Sequence, residues 1–257
     1  MILATYGGGT NSSAAIIEWV KKGLPIDVIL FADTGGEKPH TYRYVKIFSD
    51  WLVSQGYPEI ITVKRVNQKK EVETLEEECL RLENMPSIAF GHKTCSQKHK
   101  IAPQDKYMNN LPEAKEAWAR GERIIKLIGY DIDEEYRIKP DQDEADTKYE
   151  RRYPLIEDGM DRDACIESIK SVGLPLPGKS ACFFCPSSKP SEIEFLRNQY
   201  PDLFERALKI EELGVKKAIS VKGLGRTWSW KEASRQITMF DEDFKFVPEV
   251  ACGCFDG

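Results

Sequence analysis

Apolar positions along the chain fall into two alternating rhythms. Short continuous apolar blocks, as expected of buried strands, are followed by segments in which apolar residues recur at helical spacing. The first block is Ile2-Leu3-Ala4-Thr5-Tyr6. It runs through Gly7-Gly8-Gly9-Thr10-Asn11-Ser12-Ser13 into Ala14-Ala15-Ile16-Ile17-Glu18-Trp19-Val20, which predicts a helix. Residues 27–32, 60–63 and 123–130 predict further strands, and residues 153–156 a fifth extended piece. Between them, residues 39–54 and 71–83 predict helices, the first through Tyr44, Ile47, Phe48, Trp51 and Leu52. Strands alternating with helices imply an α/β fold, a parallel sheet with helices on both faces, Rossmann-like in outline. Such sheets bind ligands beyond the C-terminal ends of their strands. Residues 7–13 and 33–37 both follow strand C-ends, so they are predicted to share one edge.

The last third is less regular. Residues 161–172 and 191–213 predict helices, and Pro175, Pro177 and Pro186 mark breaks between them. Residues 131–146 are strongly acidic with little apolar content, and predict an exposed loop. The expected organisation is an α/β domain over residues 1–160 and a small helical, cysteine-bearing subdomain over 161–257.

Composition narrows the class. Of 257 residues, 41% are hydrophobic and 31% charged, ordinary for a soluble globular chain. No apolar run approaches the roughly 18–20 residues of a membrane span, and the N-terminus lacks the basic-then-apolar layout of a signal peptide. No membrane association and a cytoplasmic location are therefore expected. A net charge of −5 excludes a surface that traps nucleic acid everywhere, but leaves room for a local basic patch. His92, Lys93, Lys98, His99 and Lys100 form one basic stretch; Lys222, Arg226, Trp228, Trp230 and Arg235 mix cations with aromatics in a way that suits stacking on bases or a partly buried helical region. The seven cysteines are an odd number, and in a reducing compartment metal or redox chemistry suits the close pairs better than disulfides.

A glycine-rich turn between a strand and a helix N-terminus is a ready anion site, because glycines admit close backbone approach and the helix directs unpaired N–H groups outward. Thr10, Ser12 and Ser13 add hydroxyls. The alternative is a plain turn capped by Asn11 or Ser12. In the second edge motif, Asp33-Thr34-Gly35-Gly36-Glu37, an acid at a strand C-end can hold Mg²⁺ or a ribose hydroxyl, or simply cap a helix. Gly173-Leu174-Pro175-Leu176-Pro177-Gly178-Lys179-Ser180 satisfies the Walker A pattern but lacks the strand before and the helix after, and its prolines remove N–H groups that would cradle phosphate. Cys182-Phe183-Phe184-Cys185-Pro186 spaces two thiolates to share one metal or cluster; a redox pair is the rival, without the usual βαβ context.

Taken together, the motifs resemble a family. Gly7-Gly8-Gly9-Thr10-Asn11-Ser12 looks like a variant of the Ser-Gly-Gly-x-Asp-Ser loop of the PP-loop ATP pyrophosphatases. Phe31-Ala32-Asp33-Thr34-Gly35-Gly36-Glu37 with Thr41-Tyr42, Leu127-Ile128-Gly129-Tyr130 through Arg137, and Tyr153-Pro154-Leu155 are similar, in order, to segments of the phosphoadenylyl-sulfate reductase branch. The resemblance spans residues 1–190. It implies an adenine nucleotide alpha hydrolase-like fold and a nucleotide site drawn from Tyr6, Gly7, Gly8, Gly9, Thr10, Asn11, Ser12, Ser13, Asp33, Thr34, Gly35, Gly129 and Arg137. ATP with Mg²⁺ is the implied cofactor pair, lying across residues 7–13 with Asp33 near the ribose or Mg²⁺, and Asn11 and Asp33 are implied catalytic residues. Two departures stand out: Gly7 replaces the family's Ser, and Asn11 replaces its Asp, removing a charge that would attract Mg²⁺.

Thr94-Cys95-Ser96-Gln97-Lys98-His99-Lys100 resembles the Cys-Cys-x-x-Arg-Lys element of adenylyl-sulfate reductases, whose cysteines join a later Cys-x-x-Cys around a [4Fe–4S] cluster. The implied ligands are Cys95, Cys182 and Cys185, with Cys165 as leading fourth candidate. A structural zinc on Cys182, Cys185, Cys252 and Cys254 is the alternative. The tail Ala251-Cys252-Gly253-Cys254 faintly resembles the Glu-Cys-Gly tail of sulfonucleotide reductases, which makes Cys252 a candidate nucleophile. Three functions follow as expectations. One is an ATP-dependent, pyrophosphate-releasing sulfurtransferase acting on an acceptor such as DNA or RNA, with a cysteine desulfurase as partner. The second is an adenylyl-sulfate or phosphoadenylyl-sulfate reductase served by thioredoxin. The third is a non-catalytic nucleotide sensor.

Overall fold

The computed structural model describes residues 1–237. Five strands, β1 (Ile2–Tyr6), β2 (Val28–Asp33), β3 (Ile60–Lys64), β4 (Ile124–Leu127) and β5 (Tyr149–Arg152), form one sheet in the order β3-β2-β1-β4-β5. Every neighbouring pair is parallel. The order reverses direction at β1, so the crevice between β1 and β4 is the topological switch point where such sheets take ligands.

The period-2 alternation of the strands explains the layers. Ala4, Tyr6, Ile29, Phe31 and Leu127 face α1 (Thr10–Lys21) and α2 (Pro39–Ser54), and pack with Ile16, Ile17, Phe48 and Leu52. Leu3, Val28, Leu30, Ala32 and Ile124 face the opposite way, onto Met108, Ala114 and Ala117. With both faces covered, β2 has no exposed position, which is why it reads as a continuous apolar run.

The helix α3 (Leu75–Leu82) is shorter than its charged segment. Thr74 caps it in a box with Glu77, fixing its start after the acidic lead-in. A broken helix follows: α4 (Thr94–Ser96), a π-helical segment (Gln97–Ile101) and α5 (Ala102–Asn110), then α6 (Pro112–Ala119). Beyond β4, a 3₁₀ turn (Ile132–Arg137) and the short α7 (Pro140–Ala145) occupy the acidic stretch expected to be an exposed loop. Its acids are divided: Asp131 and Glu134 are buried while Asp133 is exposed. Residues 153–156, expected to be extended, are mostly the helix α8 (Pro154–Glu157), because proline at its first position is preset for a helix start; the strand lies just before it. The helix α9 (Arg162–Ser171) is capped by Asp161 and packs against α1. The single helix expected over 191–213 is two, α10 (Pro190–Gln199) and α11 (Pro201–Val215), divided where Pro201 restarts the chain. The last described helix is α12 (Trp230–Ile237).

A further core joins Leu75, Cys79 and Met85 to Phe183, Phe184, Leu196, Phe204, Ile210 and Trp230. The packing thus crosses residue 160 in both directions: α3 belongs with the C-terminal helices, and α9 with the sheet. Among the described residues, no helix is long and apolar enough to cross a membrane.

Candidate functional site at the C-terminal edge of the sheet

The turn from β1 into α1 is held by its own hydroxyls. Ser12 Oγ accepts from the Gly7 amide at 3.2 Å and donates to the Gly9 carbonyl at 3.2 Å, while Ser13 Oγ donates to Gly9 O at 2.8 Å. The N-cap is Gly9, not Asn11 or Ser12, and it has no side chain to cap the helix. The amides of the first turn therefore have no intrahelical acceptor, as at every helix start. Gly8 has φ +76°, a left-handed conformation that favours glycine, and a β-carbon there would stand 2.9 Å from Thr41 Cγ2. Tyr6 contributes little beyond its backbone: its ring is in the core, stacked on Phe48 at 5.0 Å, with its hydroxyl 3.3 Å from Ser13 Oγ.

At the C-end of β2, the Asp33 carboxylate is already engaged. Its Oδ1 accepts from the Gly35 amide at 2.7 Å and from the Tyr42 hydroxyl at 2.8 Å, and Oδ2 pairs with Lys64 at 3.2 Å. Burial, reinforced by the Asp33 charge, pushes the Tyr42 hydroxyl well above its usual range, so it remains a donor.

At the C-end of β4, Gly129 lets the chain pass directly over the first turn of α1. A β-carbon on it would meet Ser12 Cα at 2.7 Å and Ser12 N at 2.8 Å. This contact delivers Asp131 and Glu134 to Asn11. The Asn11 Nδ2 donates to Asp131 Oδ2 at 2.8 Å and to Glu134 Oε2 at 2.9 Å, and Arg162 Nη1 donates to Asn11 Oδ1 at 2.8 Å. Arg137 pairs with Glu134 and lies 4.1 Å over the Tyr130 ring. Burial raises both the Asp131 and the Glu134 carboxyls. Sequence reading placed Gly129 and Arg137 here but missed Asp131, Glu134 and Arg162. The rule that singled out Asp33, an acid just beyond a strand end, applies equally to Asp131; nothing local marks Arg162.

The segment with the Walker pattern has no phosphate-loop geometry. It follows α9 as irregular chain and folds over the glycine turn, where Ser180 Oγ donates to the Gly7 carbonyl and stands 3.4 Å from Glu37 Oε2. The chain then runs antiparallel to the second edge motif, with Glu37 bridged to Cys182 and the Phe183 amide donating to Gly36 O at 2.8 Å. Cys182 Sγ lies 3.2 Å from Thr34 Oγ1.

Cys95, Cys182 and Cys185 line one small pocket with Thr34, Ser96 and Lys100. Lys100 Nζ is 3.9 Å from Glu37 Oε1. Three thiols are a donor set suited to iron–sulfur or zinc ligation. Among the described residues, no three His, Cys, Asp or Glu side chains are gathered closely enough to hold a metal ion. Cys165, expected as a fourth ligand, sits elsewhere: it is fully buried on α9 among Ala14, Ala15 and Leu155, and burial pushes its thiol up to about 12. It is close to the pair in sequence, but α9 turns it into the α1 interface. Cys252 and Cys254 lie outside the described residues.

The helix carrying Cys95 is anchored by an acid–base cluster. His99, fully buried, has Nε2 2.7 Å from Glu78 Oε2, and Arg65 Nη1 pairs with the same oxygen at 2.7 Å. Burial alone would raise the Glu78 carboxyl, but hydrogen bonds from His99, Arg65 and Lys98 outweigh it and hold it at about 2; burial lowers His99 despite the Glu78 contact. Both folded-state values lie below their ordinary ones, 4.5 and 6.5. The unfolded chain therefore binds protons first, and stability is lost as pH falls from 6.5 toward 2. The melting temperature should fall across that window, and Glu78→Gln should flatten the part below 4.5. An unchanged profile would detach Glu78 from acid stability.

The fold defines a parallel α/β protein of the Rossmann-like class, its loops converging at the switch point. Neither the comparison with protein-family models nor that with curated proteins gives a match for this chain.

Proposed function

We propose that the chain is a PP-loop enzyme of the phosphoadenylyl-sulfate reductase type that uses ATP to adenylate an acceptor and then replaces the activated oxygen with sulfur. One observation carries this reading: the Cys-x-x-Cys segment lies directly against both nucleotide-loop candidates, through Ser180 to Gly7, Phe183 to Gly36 and Cys182 to Thr34. A thiol-lined pocket bordered by Thr34 then neighbours a phosphate-type turn.

The amides of residues 8–12 would receive the phosphates, with the dipole of α1 favouring their charge. Thr34 and Gly35 would border the ribose, and Asp33 would hold that turn in shape rather than act on phosphate. The acceptor oxygen attacks the α-phosphorus, the bond to the bridging oxygen breaks, and pyrophosphate leaves. A sulfur nucleophile then forms the C–S bond as the C–O bond to AMP breaks. A [4Fe–4S] cluster on Cys95, Cys182 and Cys185 would supply sulfur chemistry there; the three cysteines line one pocket and are of the ligand type such clusters take. DNA or RNA is the proposed acceptor class, and a cysteine desulfurase the proposed sulfur source.

The test is anaerobic purification with iron, sulfide and zinc analysis, followed by pyrophosphate release from ATP across candidate acceptors. About four irons and four sulfides per chain are expected, and Cys182→Ser should remove nearly all the iron while leaving the melting temperature within a few degrees. One zinc and no iron would overturn the cluster. Pyrophosphate formation absent with every acceptor would overturn the adenylation step.

A further inference from the structure

The glycine turn carries Asn11 where a PP-loop enzyme carries the acid that would attract a divalent cation, and the carboxylates around it are unequal. Asp33 has both oxygens engaged, by Gly35, Tyr42 and Lys64. Glu37 faces Lys100 and Ser180. Glu134 is ion-paired with Arg137. Asp131 differs. It is only 2% exposed, its Oδ2 accepts from Asn11 on the first turn of α1, and its Oδ1 is buried with no hydrogen-bond partner among the described residues. A buried carboxylate oxygen left unmatched is costly, and at a ligand crevice it points to a ligand. Mg²⁺ asks for little more from a protein: it is commonly held by one or two carboxylates, with substrate phosphates and waters completing the octahedron. Asp131 sits at the α1 N-terminus, beside the phosphate position, and Asn11 already orients it.

We propose that Asp131, not residue 11 of the glycine turn, is the carboxylate ligand of the divalent cation that accompanies the nucleotide phosphates. This inference rests on the nucleotide reading above. In it, Asn11 is a positioning residue. As a neutral amide it spans Asp131 and Glu134, where a third carboxylate would face two others at hydrogen-bond distance.

The experiment titrates Mn²⁺ into the purified full chain with a non-hydrolysable ATP analogue, reading free Mn²⁺ by electron paramagnetic resonance and nucleotide binding by calorimetry. One Mn²⁺ per bound nucleotide is expected. Asp131→Asn keeps the shape and the acceptor for Asn11, and should weaken Mn²⁺ by at least the roughly 10–100-fold that loss of even an outer-shell partner costs. Analogue binding without metal should change little. Asn11→Ala, which removes the amide that orients Asp131, should weaken Mn²⁺ in the same direction, so the idea stays testable if Asp131→Asn does not fold. Analogue binding with Mn²⁺ affinity indifferent to both substitutions would overturn the Asp131 assignment alone. Failure of the analogue to bind at all would overturn it together with the nucleotide reading.

Discussion

Gly129→Ala is expected to destabilise the protein by about 3 kcal/mol, the upper end of the cost of over-packing, and to abolish binding of the ATP analogue. The new methyl would enter a space bounded by backbone, with Ser12 Cα at 2.7 Å, Ser12 N at 2.8 Å and the Asn11 carbonyl carbon at 2.9 Å. A side chain can rotate away from such a contact; the first turn of α1 cannot, because its other face is locked into the sheet core through Ile16 and Ile17. The strain would be relieved by lifting the β4 end off α1, which would part Asn11 from Asp131 and Glu134. Urea unfolding and calorimetry on the same variant would check both effects. A variant of unchanged midpoint with normal binding would show that β4 and α1 do not approach this closely.

Glu211→Ala is expected to cost at least about 3 kcal/mol, since it removes several hydrogen bonds to one charged acceptor and leaves buried donors unmatched. Glu211, on α11, is 3% exposed. It accepts from the amides of Leu224 and Trp230 at 2.8 Å each, from Lys231 N at 3.1 Å and from Ser229 Oγ at 2.7 Å. One carboxylate thus replaces the regular structure that residues 223–229 lack, and it seats the fully buried Trp230, the first residue of α12, in the core that also contains Phe183 and Phe184. Hydrogen exchange should show the Leu224 and Trp230 amides losing protection in the variant. Because the same core backs the Cys-x-x-Cys segment, iron bound at the proposed cluster site should fall as well. Retained protection at both amides would mean that other contacts hold the segment.

These two sites differ in how visible they were in advance. Gly129 ends an apolar block and stood out in sequence; Glu211 is one acid among several on an amphipathic helix, and nothing local separates it from its exposed neighbours. The acidic stretch after Gly129 misled for a related reason. Its composition is that of a solvated loop, yet Asp131 and Glu134 are buried because Asn11, itself held by Arg162, meets both and Arg137 pairs with Glu134. Cys165 shows the converse: nearness in sequence to Cys182 and Cys185 did not bring it to them, because the apolar face of α9 is satisfied by α1.

By itself the sequence determined the alternation of strand and helix, the parallel sheet, and the placing of the glycine turn and the Asp33 motif at one edge. Those follow from side-chain period, proline and glycine positions, and capping, all of which act within a few residues. Tertiary structure alone decided that Asp33 is fully engaged, that Asp131 keeps a buried oxygen with no hydrogen-bond partner among the described residues, and that Cys95 shares a pocket with Cys182 and Cys185. Each of these depends on segments far apart in the chain meeting across packed faces. The energy that selects such meetings comes from burial and charge pairing between elements, which no local pattern encodes.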